Sequence, residues 1–243
     1  AEERVITAQA PNQVWHVDLT TVPMAGGFWT AWLPFSLPLC WPFCWWLAVV
    51  VDHYSRRIMG VATFKKQPTS ADVQHCLARA IRQAKATPKY IICDQGTQFA
   101  CPSFKKWCKR RRIRPRYGAI GKHGSIAVVE RVILTLKQLL ACLLIVPLSQ
   151  GKFRHEVSLL VKWYNEFRPH TARRGRTPDE VYHAQFPANR KPRYEPRSRW
   201  PRSSRCALPW ALVRGSPGVQ LALEVEFMSD RKHLPLVRLQ PAA

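Results

Sequence analysis

Apolar and polar positions alternate from Val14 to Thr21 in a segment rich in β-formers, which predicts a short strand. Trp45 to Val51 is continuously apolar, the pattern of a strand buried on both faces. Arg57 to Phe64 reads as its antiparallel neighbour, reached through the turn-like Asp52-His53-Tyr54-Ser55. Thr69-Ser70-Ala71-Asp72 has the form of a capping box, after which Val73, Leu77, Ala80, Ile81 and Ala84 recur at helical spacing. Lys89 to Cys93 is a short buried strand. Pro102 suits a first helical position, and Phe104, Trp107 and Cys108 form that helix's apolar side. Ile113 to Tyr117 is a fifth strand at an edge. Gly118 to Gly124 reads as a loop, followed by a long helix over about Ser125 to Leu144 with a stripe of Val129, Ile133, Leu136 and Leu140. Phe153 to Phe167 is a helix stopped before Pro169, and Thr177-Pro178-Asp179-Glu180 starts another. This order predicts an α/β fold with a mixed five-stranded sheet flanked by helices.

Composition divides the chain. Residues 1–186 carry the α/β pattern, 187–205 form a basic Pro/Arg-rich linker, and 206–243 are expected to hold a small β-module. Its two strands are Val219 to Phe227 and Leu234 to Leu239, around Ser229-Asp230-Arg231-Lys232. From Phe28 to Val51 no residue is charged, a length that could span a bilayer. Pro34, Pro38 and Pro42 fall one per helical turn and would break such a helix. The stretch from about Pro23 to Phe43 is therefore read as an apolar insertion that covers protein surface, with no membrane partner. The eight cysteines include no C-x-x-C pair and read as reduced thiols, mostly small core residues.

Charge changes the picture further. Against 15 Asp+Glu stand 38 Lys+Arg, a formal net charge of +23. Self-repulsion on that scale calls for a polyanion, with nucleic acid the commonest partner and an anionic membrane the alternative. The run from Lys105 to Arg116, including Lys109, Arg110, Arg111 and Arg112, reads as phosphate-binding rather than as a merely solvated helix face.

In a chain this poor in acid, three carboxylates sit in apolar settings. Asp18 lies inside the first strand, Asp94 just past the end of the fourth, and Glu130 near the start of the long helix. A carboxylate in such surroundings is costly unless it is paired or bound to metal. Asp52 reads as a turn residue, and His16 and His53 as structural. Lys137, two helical turns after Glu130, should share its face.

Residues 95–129, thirty-five in number, separate Asp94 from Glu130. That spacing resembles the DD35E signature of DDE transposases and integrases, the superfamily of insertion-sequence transposases and retroviral integrases. Lys137 follows Glu130 by seven residues, as in the insertion-sequence branch. Val50-Val51-Asp52-His53-Tyr54-Ser55-Arg56-Arg57 resembles the family's strand-turn-strand motif. Tyr164-Asn165-Glu166-Phe167-Arg168-Pro169-His170 and Arg176-Thr177-Pro178-Asp179-Glu180-Val181-Tyr182 resemble its closing motifs. The likeness covers about Pro11 to Ala184. It departs in the apolar insertion, in Cys93 standing where Ser is expected, and in Gly121-Lys122-His123-Gly124-Ser125, which lacks an Asn often found there.

The resemblance implies a ribonuclease-H-like fold and a polynucleotidyl transferase that cleaves DNA ends and transfers strands. Asp18, Asp94 and Glu130 would be its catalytic and metal-binding residues, holding two Mg2+ (or Mn2+) ions. Lys122, His123 and Lys137 would contact DNA. Partners would be DNA, as element ends and target duplex, and further copies of the chain. The setting would be the bacterial cytoplasm, associated with the nucleoid. The alternative is a non-catalytic basic DNA-binding protein derived from a transposase.

Overall fold

The computed structural model describes residues 8–24, 41–118, 127–143, 146–173, 175–185 and 221–241. It forms two compact units, Ala1–Leu160 and Val161–Ala243. The inner part of the apolar insertion, the basic linker and the start of the expected β-module lie outside the described residues.

In the first unit, β1 (Val14–Pro23), β2 (Cys44–Asp52), β3 (Ile58–Phe64), β4 (Tyr90–Cys93) and β5 (Arg114–Tyr117) form one sheet of order β3-β2-β1-β4-β5. β1 pairs antiparallel with β2 and parallel with β4; β2–β3 is antiparallel and β4–β5 parallel. This is the mixed α/β sheet that the sequence pattern predicts. β1 runs to Pro23, two residues further than its alternation suggested, because β2 pairs with it as far as Cys44.

Between the strands run α1 (Ser70–Ala84), α2 (Thr97–Ala100), α3 (Pro102–Arg110) and α4 (Ala127–Ala141), followed by α5 (Gln150–Glu166). The Thr69–Asp72 capping box forms: the Asp72 carboxylate accepts from the Thr69 N–H at 2.8 Å. α1 packs on β3 where Gly60 leaves room, since a Cβ there would sit 3.0 Å from the Ala80 Cβ. α4 lays Val129, Val132, Ile133, Leu136 and Leu140 against the core, over β1 and β2. Trp45 stacks on Phe153 at 5.4 Å, and its indole N–H donates to the Pro147 carbonyl at 2.9 Å.

Asp52 has a larger part than a turn residue. It is fully buried. Its carboxylate accepts from the Asn12 N–H at 2.8 Å, the Ser55 N–H at 2.8 Å and the Ser55 hydroxyl at 2.7 Å, tying the β2–β3 turn to the segment entering β1. Replacing it by Ala strands three donors in the interior. Each unsatisfied group costs about 1–3 kcal/mol, so Asp52→Ala is expected to lower stability by roughly 3–5 kcal/mol. Urea unfolding would show this as a lower midpoint, and an unchanged midpoint would contradict it.

Of the six described cysteines, Cys44, Cys76, Cys93 and Cys108 are buried, Cys101 is half-buried and Cys142 exposed, and none of the six is in a disulfide. Among the described residues no helix is long and apolar enough to cross a membrane.

The second unit holds the end of α5, a 3-10 turn (Thr171–Arg173), α6 (Pro178–His183) and a hairpin of β6 (Leu221–Phe227) and β7 (Pro235–Pro241). The predicted cap of α6 forms, with the buried Glu180 carboxylate accepting from the Thr177 N–H at 2.8 Å. The Trp163 indole donates to the Pro235 carbonyl at 3.0 Å, joining helix and hairpin. Cross-strand register leaves Leu223, Val225, Phe227 and Val237 on one exposed apolar face.

Candidate active site

The parallel pairing of β1 with β4 sets Val14 beside Tyr90, Trp15 beside Ile91 and His16 beside Ile92. Carried on by two residues, that register points Asp18 toward Asp94, which directly follows the last residue of β4. Laterally adjacent residues of parallel strands project from the same face, and the Asp94 carboxylate is one of the charges that act on Asp18. Glu130 arrives from the first turn of α4, exposed at the margin of the helix's buried stripe.

The electrostatics agree. Burial pushes the Asp18 carboxyl up to about 6, and the Asp94 and Glu130 carboxylates add to the rise. The Leu19 backbone N–H, donating to the Asp18 carboxylate at 2.7 Å, and the nearby Lys137 ammonium oppose it. Asp94, Glu130 and Lys137 therefore each lie within electrostatic reach of Asp18, and Lys137 follows Glu130 by two turns of α4. Among the described residues, no three His, Cys, Asp or Glu side chains close tightly enough to hold an ion as they stand. Hard carboxylate oxygens whose mutual repulsion raises a pKa are nonetheless a donor set suited to Mg2+ or Mn2+.

The other predicted contacts are placed elsewhere. Lys109, Arg110, Arg111 and Arg112 are exposed around the C-terminal end of α3, apart from the carboxylates. Lys122 and His123 lie outside the described residues.

The motif reading passed over Gly96. Its N–H donates to Asp94 Oδ1 at 3.1 Å. A Cβ at this position would lie 3.0 Å from Asp94 Oδ1, 3.3 Å from Asp94 Oδ2 and 3.0 Å from Gln98 Oε1. A side chain here would therefore crowd the Asp94 carboxylate and the Gln98 amide, which would have to give way slightly. The signal was present as Asp94-Gln95-Gly96, which by itself reads as an ordinary turn. Gly96→Ala is expected to rotate the carboxylate away while leaving the fold intact, cutting metal-dependent activity by roughly 10-fold or more, as small misplacements of reacting groups do. Activity assays beside thermal unfolding would check this. Full activity in a folded variant would contradict it.

His16 is buried two residues from Asp18, with Nε2 2.7 Å from His53 Nδ1 and the rings stacked at 5.0 Å. Burial, with His53 and Arg56, pushes its pKa down to about 3, so it is neutral filler behind the site.

The fold is a mixed five-stranded α/β sheet, with acidic residues on a central strand, just past an adjoining strand end and on a helix. Residues 8–123 match the integrase core domain family, a range that takes in Asp18 and Asp94 and ends short of Glu130. By sequence, this part of the chain is similar to the integrase core domain and to retroviral and insertion-sequence proteins that carry it.

Over 127 residues it is 35% identical to the Gag-Pol polyprotein of Rous sarcoma virus, covering 52% of this chain and 7% of the polyprotein. Over 169 residues it is 29% identical to the putative transposase for insertion sequence element IS986/IS6110 of Mycobacterium tuberculosis, covering 65% of this chain and 53% of that one. The chain thus spans about half the length of that transposase and a small part of the polyprotein. The HTLV-2 integrase catalytic core domain, solved with magnesium, has a TM-score of 0.54 and 20% identity over 73% of this chain and 100% of its own. A simian T-cell lymphotropic virus intasome structure gives a TM-score of 0.59 and 18% identity over 91% of this chain and 64% of its own. These structural likenesses show the fold.

Proposed function

We propose that this chain is the catalytic part of a DDE-type DNA transposase or integrase, cleaving DNA ends and joining them to a target by in-line phosphoryl transfer. The observation that carries this reading is Asp18, half-buried in the central strand and raised to about 6 beside two further carboxylates, in a chain of net charge +23. A carboxylate cluster maintained against its own repulsion indicates a cation-dependent task.

Asp18, Asp94 and Glu130 would hold two divalent ions, which when bound supply charge stabilisation at the attacking and leaving oxygens. The chain's own residues do the positioning. The Leu19 N–H holds one oxygen of Asp18, and the Gly96 N–H holds one of Asp94. Lys137, whose charge acts on Asp18, would meet a backbone phosphate. Water is the nucleophile for end cleavage and a DNA 3′-hydroxyl for joining. Its oxygen forms the new bond to phosphorus as the old ester oxygen leaves, with no covalent enzyme intermediate.

DNA is the substrate, and further copies of the chain would assemble on it. As with a bacterial insertion-sequence transposase, to which the chain is similar, the setting would be the bacterial cytoplasm. In the second reading the chain only binds DNA, the form that its overall charge alone would favour. A strand-transfer gel in Mg2+ or Mn2+, using the full-length protein and cognate ends, decides between them. Joined products that vanish with EDTA support the enzyme, and tight DNA binding without any joining supports the binding protein.

A further inference from the structure

Gln98 is a long polar residue only 9% exposed, four positions past Asp94 on α2. Burying an amide is costly unless its oxygen and its nitrogen both find partners. A glutamine that only filled space in the core would have them. Here Oε1 accepts from the Thr97 hydroxyl at 3.4 Å, a long contact, and Nε2 makes no hydrogen bond among the described residues. Gln95, in the same loop, is exposed and has no such need.

What Oε1 does have within reach is the Asp94 carboxylate. A Cβ on Gly96 would lie 3.0 Å from Gln98 Oε1 and 3.0 Å from Asp94 Oδ1. Two atoms each that close to one point stand at most about 6 Å apart. That is roughly the span from a carboxylate oxygen, through a hydrated Mg2+ or Mn2+ ion, to the acceptor of a hydrogen bond from its water. Both atoms are acceptors, and neither can donate to the other. A hydrogen donor or a cation belongs between them.

We propose that Gln98 is a positioning residue of the carboxylate site, accepting through Oε1 a hydrogen bond from water on the divalent cation that Asp94 holds. The proposal rests on the transposase reading above, which calls for that cation, and adds to it a neutral oxygen outside the three carboxylates. Neutrality suits the place. Asp18 is already raised by the charges of Asp94 and Glu130, and a fourth carboxylate would add to that repulsion, whereas an amide oxygen adds none. Mg2+ keeps several of its waters when carboxylates bind it, so groups that hold those waters help to set its affinity.

Local packing holds Gln98 in place. Its neighbour Phe99 is fully buried, meets the Phe104 ring edge-on at 5.5 Å and accepts at its carbonyl from the Tyr117 hydroxyl at 3.0 Å. The Gln98 carbonyl accepts from the Cys101 thiol at 3.5 Å. These contacts tie α2 to α3 and β5, so the Gln98 side chain leaves from a fixed backbone.

The test titrates Mn2+ into the full-length protein and follows the free ion by electron paramagnetic resonance, beside thermal unfolding in EDTA and in Mn2+. Asp94→Asn identifies the binding that belongs to the site. Gln98→Leu, similar in size but without the amide, should weaken that binding by about 10-fold, as removal of a group behind a metal's ligands does. Its unfolding temperature in EDTA should be no lower than that of wild type, and the rise on adding Mn2+ should be smaller. Gln98→Glu keeps an acceptor oxygen and should bind within about 3-fold of wild type. Gln98→Met replaces Gln98→Leu in the comparison if the latter does not fold.

Wild-type Mn2+ affinity in a folded Gln98→Leu variant overturns the proposal and leaves the carboxylate site standing. Gln98→Glu as weak as Gln98→Leu also overturns it, since the shape of the glutamine and not its oxygen would then matter. If the wild type shows no Mn2+ binding that Asp94→Asn removes, the proposal and the metal-dependent reading fall together. If Gln98→Leu weakens Mn2+ binding but the wild type never joins DNA, the enzymatic reading fails and the role of Gln98 stands.

Discussion

Glu130→Gln is expected to abolish strand joining while leaving DNA binding nearly intact. Gln keeps the shape of Glu, but it removes a negative charge from the cluster and offers an amide nitrogen that cannot ligate Mg2+. The loss falls where charge develops on the reacting oxygens. Removing a single preorganised electrostatic contact of this kind costs on the order of 10³-fold in rate, or about 4 kcal/mol. Glu130 is exposed on the first turn of α4 and contributes nothing to the helix's buried stripe. Folding should therefore be untouched. Strand-transfer gels paired with binding on the same DNA test this, and wild-type joining by the variant would reduce Glu130 to a helix-surface residue.

Asp18→Asn should stabilise the metal-free protein, with a definite pH dependence. Asp18 is raised from 3.8 to about 6 in the folded chain, by burial first and by Asp94 and Glu130 second. Below about pH 3.8 the group is protonated whether the chain is folded or unfolded, and it costs nothing. Between 3.8 and about 6 the unfolded chain ionises first, so stability falls as pH rises, and above about 6 the loss is complete. At 1.36 kcal/mol per pKa unit the penalty at pH 8 is about 2–3 kcal/mol, reduced in so far as solvent reaches the half-buried carboxyl. Asn carries no such penalty. In EDTA the variant should be the more stable protein at pH 8 and equal to wild type near pH 3.5. Added Mg2+ should stabilise wild type and narrow the gap, because the ion binds only the carboxylate. Urea unfolding at the two pH values, with and without Mg2+, measures all of this. A gap that is independent of pH would show that Asp18 is not an uncompensated carboxylate.

Much of the architecture was legible because it depends on local pattern. The apolar run of β2, the alternation of β1 and the caps at Thr69 and Thr177 each act within a few residues, and the structure shows all of them. The triad was legible as spacing, in three carboxylates set in apolar surroundings. The fit of Asp18 beside Asp94 was not, because it depends on the register between strands more than seventy residues apart. Gly96 was hidden for a related reason. A turn glycine and one that vacates space for a carboxylate have the same sequence, and only the position of Asp94 Oδ1 separates them. Asp52 looked like a turn residue because its third partner, the Asn12 N–H, comes from forty positions away. The basic run between Lys105 and Arg116 announced a polyanion, but its position on the sheet edge, away from the carboxylates, follows from the parallel β4–β5 crossover.

The most direct measurement of the central claim is the anomalous scattering of manganese in crystals of the protein grown or soaked with Mn2+. A DDE catalytic core predicts manganese peaks bounded by the carboxylates of Asp18, Asp94 and Glu130. Peaks confined to other parts of the protein, with these three carboxylates free of metal at millimolar Mn2+, would contradict it.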